Sequence, residues 1–139
     1  MDTDHAKRAD HAVNTSDLWM IEALIQPFRL DAVTLALEAT SGFRGMTVTS
    51  CRGFGREKVE PATRPGAAET HRSNAADVVD FTEKVKLEVA VHGQASAAAV
   101  IDAIARTAHT GRRGDGKIFA WPLARAVRIQ TFEEGEAAL

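Results

Sequence analysis

A chain of 139 residues supports one domain with a real core and is too short for two. A formal charge of −2, with no dense basic block, disfavours non-specific nucleic-acid binding, which needs a positive field over several phosphates. No apolar run approaches the ~18 residues of a membrane-spanning helix. The single cysteine, Cys51, excludes a disulfide framework and a Cys-rich zinc site, so it reads as a partly buried strand residue in a cytoplasmic protein.

Residues 1–17, MDTDHAKRADHAVNTSD, are polar and lack an apolar core, which predicts a disordered tail rather than a secretory signal. Leu18 to Ile25, LWMIEALI, is apolar on both alternating faces apart from Glu22 and reads as a central strand. Pro27 ends it. Leu30, Val33 and Leu37 then follow at helical spacing, with Gly42 the expected C-cap. Gly45 to Arg56 is a second strand, glycine-rich at its far end. Glu57 to Ala76 has no hydrophobic period and two prolines, and so predicts a long functional or mobile loop.

Asp77 to His92 alternates at length. Val79, Phe81, Val85, Leu87, Val89 and Val91 share one face, and Asp80, Thr82, Lys84, Lys86, Glu88 and His92 the other. That polar face can line a site or an interface. The second helix is expected over Ala95 to His109, packing through Ala97, Val100, Ile101, Ile104 and Ala108. A turn at Gly111 to Gly116, a strand from Lys117 to Trp121 ending at Pro122, and a last short strand over Ala126 to Thr131 complete the chain.

This order predicts an α+β, ferredoxin-like βαββαβ domain over residues 18–139, an antiparallel sheet with both helices on one face. The faint repeat TSGFRGM and HTGRRGD after the two helices agrees with it. Apolar residues on the uncovered face would be wet in a monomer, so self-association is expected.

The strongest local signal is Thr110 to Phe119, TGRRGDGKIF, with three glycines, two arginines and a lysine in one helix-to-strand turn. Glycines let backbone N–H groups converge on an anion, and Arg and Lys add charge and fixed donors. The same pattern also suits a solvated turn, with Asp115 as a turn-forming residue. Neither a P-loop nor a dinucleotide fingerprint is present. Gly53-Phe54-Gly55-Arg56 makes a second basic corner, and Arg125 and Arg128 offer further anion contacts.

Catalysis has less support. His5 and His11 lie in the tail, His71 in the long loop, and His92 and His109 read as surface or helix-end residues. No Ser-His-Asp set, carboxylate pair or metal-ligand cluster stands in register. A small phosphatase on this fold is the competing enzyme reading. An RNA-binding module is disfavoured by the lack of aromatics on the long strand's polar face.

Several separated segments together resemble the PII nitrogen-signalling family. These are IEALIQPFRLDAV, GFRGMTVTSCRGFGREK, VVDFTEKVKLEV, TGRRGDGKIF and VRIQTFEEGEAA, spanning Met20 to Glu136. The resemblance implies a ferredoxin-like homotrimer that is not an enzyme. It would bind ATP or ADP in clefts between subunits and regulate channels, transporters or enzymes through a protruding T-loop. Docking to a membrane transporter is therefore compatible with a chain that has no membrane span of its own.

Carried over by position, Thr47 resembles the strand residue that contacts the nucleotide. Phe54, Gly55 and Arg56 resemble the T-loop start beside the phosphates, and Glu88 the position near adenine and ribose. Thr110, Gly111, Arg112, Arg113, Gly114, Asp115, Gly116 and Lys117 resemble the B-loop, with Lys117 reaching phosphate. Arg128 resembles the first of two C-terminal arginines supplied by the neighbouring subunit.

Three departures bear on function. Gln130 stands at the second arginine position, which removes a cation worth roughly 1.5–3 kcal/mol to a terminal phosphate. ADP or AMP is therefore expected to bind as well as ATP or better. Glu57 replaces the glutamine that meets Mg and 2-oxoglutarate; with Arg56 and the retained Lys84 it makes an altered effector site, at which 2-oxoglutarate sensing is expected to be weak. The long loop, including Glu57, Lys58, Arg64, His71, Arg72 and Ser73 as the expected partner surface, is longer than usual, and Asp77 stands where the family carries its modified tyrosine. These changes are compatible both with a nitrogen or energy sensor and with the carboxysome-associated branch, whose members resemble ADP/AMP and bicarbonate sensors.

Overall fold

The computed structural model describes residues 17–55 and 80–139. The tail and loop expected over 1–17 and 57–76 lie, apart from Asp17, outside the described residues. So do Arg56, Glu57, Lys58, Arg64, His71, Arg72, Ser73 and Asp77, and the predicted strand start at 77–79.

Four strands form one antiparallel sheet, β1 (Leu18–Ile25), β2 (Thr47–Gly53), β3 (Thr82–His92) and β4 (Gly116–Leu123), in the order β2-β3-β1-β4. Helices α1 (Leu30–Glu38) and α2 (Gln94–Ala108) pack against one face. The predicted ferredoxin-like α+β fold is the observed one.

Alternation explains the layering. On β3, Val85, Leu87, Val89 and Val91 are buried with Ile21, Ala23 and Ile25 of β1. Val33 and Leu37 of α1 and Ala97, Val100, Ile104 and Ala108 of α2 close the same core. The opposite face stays open in the single chain, and its register rows run straight across the strands. Thr47, Glu88, Glu22 and Phe119 form one row, and Thr49, Lys86, Leu24 and Lys117 the next.

Three expectations are corrected. Ala126 to Thr131 is not a strand: the segment turns at residues 129–131, and only Val127 and Glu134 form an isolated bridge. Gly42 is not the cap of α1, which ends at Glu38 with Ala39 as C-cap. Gly42 serves close packing instead: its φ is +86°, and a Cβ there would fall 2.3 Å from the Ser96 hydroxyl at the start of α2. Finally, β4 runs through Pro122 to Leu123. A proline is tolerated because β4 is an edge strand, where one side of the backbone needs no ladder partner.

Residue 17 is tied to the domain. The Asp17 carbonyl accepts from the Gly93 N–H at 2.8 Å, and its carboxylate accepts from the Trp19 indole N–H at 3.1 Å.

Candidate functional site

Helix α2 ends at Ala108, and its last turn is fixed by Arg29, whose Nε donates to the Thr107 carbonyl at 2.8 Å. The chain then turns through 109–115 into β4. Asp115 organises that turn. Its carboxylate accepts from the N–H of Thr110 at 2.7 Å and of Gly111 at 2.9 Å, and also from the Thr110 hydroxyl. The Arg112 N–H donates back to the Thr110 hydroxyl oxygen at 3.2 Å.

Burial alone would raise the Asp115 pKa. The Thr110 hydroxyl and amide, the Gly111 amide and nearby His109 outweigh it and hold the carboxyl below its ordinary value. The ring Nδ1 of His109 lies 3.8 Å from the same carboxylate. Asp115 is thus committed to the turn, in line with the turn-forming reading, and three of the turn's amides, those of Thr110, Gly111 and Arg112, are already engaged.

The remaining groups are outward-facing. Arg112, Arg113 and Lys117 are exposed, and among the described residues none of the three is in an ion pair. Gly116 makes the approach to the sheet possible, since a Cβ there would sit 1.7 Å from the Leu24 carbonyl oxygen. That contact seats Lys117 opposite Leu24, which separates it from Lys86 along the row.

Lys84 joins the turn from β3, its ammonium donating to the Gly114 carbonyl. The predicted effector lysine and the predicted phosphate turn therefore touch within one chain. Cys51, half-buried on β2, pairs in register with Lys84 and places its sulfur 3.6 Å from that residue's carbonyl. Phe54 and Gly55 continue past β2 at this same end of the sheet, with Phe54 edge-on to Phe81.

Thr47 and Glu88 face each other across β2 and β3, several residues toward the other end. They line a cavity of about 270 Å³ with Met20, Arg44, Met46 and Leu139. Lys86 sits between two carboxylates, 3.8 Å from Glu22 and 3.8 Å from Glu88. Sequence reasoning did not single out Glu22 or Lys86. Glu22 was the one charged residue of β1, and Lys86 belonged to the polar face of β3.

Arg128 is apart from the turn: the turn leads into the start of β4 (Gly116–Leu123), and Arg128 follows that strand's far end. It stands on a short hairpin at 126–135, where its N–H donates to the Glu133 carbonyl at 2.9 Å and its guanidinium to the Leu139 carbonyl at 2.6 Å. Arg125 pairs with Glu134, its Nε 2.7 Å from the carboxylate. Glu136 bridges Arg44 at 3.1 Å and His92 at 3.6 Å, fastening the end of the chain to the sheet. Neither contact was legible in advance, because the partners are far apart in sequence.

The chain is thus a small ferredoxin-like α+β domain with one open sheet face and an outward cationic turn. The sequence model of the family described as nitrogen regulatory protein P-II matches residues 18–133. The chain is 48% identical over 119 residues to nitrogen regulatory protein P-II 1 of Escherichia coli K12, and equally so to the P-II protein of Azospirillum brasilense. In each case the match covers 86% of this chain and 97% of the relative. Arabidopsis thaliana PII bound to citrate superposes with a TM-score of 0.66 at 34% identity, covering 88% of this chain and 92% of that one. The GlnK–ATP complex of B. subtilis superposes at 0.67 with 23% identity, covering 89% and 97%, and shares the fold. The chain belongs to the nitrogen regulatory protein P-II family.

Proposed function

We propose that the protein is a homotrimeric regulator, without catalytic turnover, that binds an adenine nucleotide between subunits and reports it to a partner through the loop at 57–76. The observation that carries this reading is the split of its cations. Arg112, Arg113 and Lys117 stand where the chain enters β4 and Arg128 on the hairpin after it, and one chain does not bring them together. Two copies can. The related Arabidopsis protein bound to citrate gives a precedent for a polyanion on this family's frame.

Within that cleft Thr47 and Glu88 supply polar groups beside an apolar floor of Met20 and Met46, suited to the adenosine end. Arg128 exchanges its contact with the Leu139 carbonyl for phosphate. With Gln130 beside it in place of a second cation, the terminal phosphate of ATP gains little, and ADP or AMP binds as well or better.

A second reading concerns the effector. Glu57 and Asp77, with no tyrosine in the chain, favour an inorganic-carbon regulator that takes bicarbonate near Arg56 and Lys84 over a 2-oxoglutarate sensor. Calorimetry on the native oligomer with ATP, ADP and AMP, each with bicarbonate or Mg and 2-oxoglutarate, tests both readings. No affinity for any adenosine phosphate overturns the first. Tight 2-oxoglutarate binding without a bicarbonate effect overturns the second.

A further inference from the structure

Two groups of exposed apolar side chains stand at opposite ends of the sheet. At one end, where β2 ends and β3 begins, the Phe54 and Phe81 rings meet edge-on with centroids 5.2 Å apart. Phe54 is 65% exposed and Phe81 46%. At the other end, Ile129 and Phe132 form the tip of the 126–135 hairpin, exposed by 89% and 80%.

Phe132 is strained where it stands. Its φ is 61°, in the left-handed region that bulky side chains rarely enter. The turn imposes that value: the Phe132 N–H donates to the Arg128 carbonyl at 2.8 Å, and the Gly135 N–H to the Ala126 carbonyl at 3.1 Å. Glycine would take the same conformation without steric cost. A ring this exposed recovers almost nothing through burial inside the chain. Its reason lies in something the chain meets.

The geometry points to an aromatic contact between two copies of this chain, in which Phe132 of one copy packs on the Phe54–Phe81 pair of the next. This rests on the nucleotide reading above. Arg128 and Phe132 share one turn, while Lys117, Lys84 and the Phe54–Phe81 pair share one end of the sheet. A phosphate chain held by Arg128 of one copy and Lys117 of another sets those two ends against each other. Arg128 on one side and Lys84, Arg112, Arg113 and Lys117 on the other are cationic, and a polyanion between them draws those groups together. The rings therefore meet when ligand is bound. Phe54 and Phe81 flank the two ends of segment 56–79, so the contact ties nucleotide occupancy to the base of that segment.

The test is ADP titration by calorimetry on the native oligomer of wild type, Phe132→Gly, Phe54→Ala and the double variant. Phe132→Gly relieves the backbone, so its melting temperature should equal or exceed that of wild type. Each single variant should weaken ADP by about 3- to 10-fold, the range for one aromatic pair. The double variant should lose no more than the worse single one, because one contact is removed twice. Unchanged affinity in Phe132→Gly, or losses that multiply, overturns the contact. Arg128→Ala separates the two levels: if it leaves ADP binding intact, the nucleotide reading itself fails. If Arg128→Ala abolishes binding while Phe132→Gly binds normally, the aromatic contact alone is wrong, and Phe132 belongs to a different partner.

Discussion

The carboxylate of Asp115 accepts a hydrogen bond from the main-chain N–H of Thr110, 2.7 Å away across the turn that joins α2 to β4. The six residues from Thr110 to Asp115 are closed into one ring by a side chain, leaving Arg112 and Arg113 to face outward. The turn's shape therefore depends on a charge that faces inward.

Asp115→Asn should loosen this turn. An amide oxygen can keep the Thr110 and Gly111 N–H bonds, but they lose their charge and the Thr110 hydroxyl must turn to accept, which should cost about 1–2 kcal/mol. The pH dependence has a definite sign. The carboxyl titrates below its ordinary value in the fold, so its stabilisation is complete above the unfolded pKa of about 3.9 and is lost as pH falls through the folded value. Thermal melts should separate wild type from variant at pH 7 and bring them together at the acid end. A gap that stays constant down to pH 2 would show the charge to be irrelevant.

Gly116→Ala should be among the most damaging single-methyl changes in the chain. The added carbon would lie 1.7 Å from the Leu24 carbonyl oxygen, and backbone rather than a flexible side chain would have to move. The φ of +111° adds conformational strain. Together these should cost about 3 kcal/mol or more and displace Lys117. Gly53→Ala is the control, since nothing lies within 4 Å of the new carbon there. Denaturant melts of the two variants should differ widely; equal stability would mean that β4 can shift without penalty.

Lys84→Ala should weaken ADP even when no acidic co-ligand is present. The ammonium is bonded to the Gly114 carbonyl, so it holds the turn proposed to meet phosphate. A loss of about 3- to 10-fold is expected from one charge-assisted hydrogen bond, with partial recovery in Lys84→Gln, which keeps a donor. If calorimetry finds the loss only when bicarbonate or 2-oxoglutarate is added, the lysine serves the effector alone.

The layers of the fold were legible because alternation and helical spacing act locally. Val85, Leu87, Val89 and Val91 on β3, and Ala97, Val100, Ile104 and Ala108 on α2, are buried as their spacing requires. The turn before β4 was legible from its glycines, which sit at positive φ at Gly111, Gly114 and Gly116. Two features were not, for physical reasons. Val127 and Ile129 alternate as strand residues do, but β4 ends at Leu123 and no described neighbour offers a ladder, so the chain turns back through Phe132 instead. The role of Gly42 depends on Ser96, more than fifty positions away, and such a contact leaves no local pattern. The placement of Arg128 was expected only from the family resemblance. The structure puts it on the 126–135 hairpin, beyond the end of β4.

Gln130→Arg offers the sharpest test of ligand choice. Gln130 is exposed two residues from Arg128 on the same hairpin, so its side chain can be replaced without disturbing the core. A guanidinium there adds a charge and a planar pair of donors to whatever Arg128 meets. ATP carries one more phosphate than ADP to receive them, and AMP one fewer. The variant should therefore gain ATP affinity by roughly 1.5–3 kcal/mol, about 10- to 150-fold, with a smaller gain for ADP and almost none for AMP. Competition calorimetry of the three nucleotides on wild type and variant reads this directly. If all three gain equally, the new charge acts as a diffuse field and does not touch the terminal phosphate. If wild type already prefers ATP strongly, Gln130 is not what sets the choice.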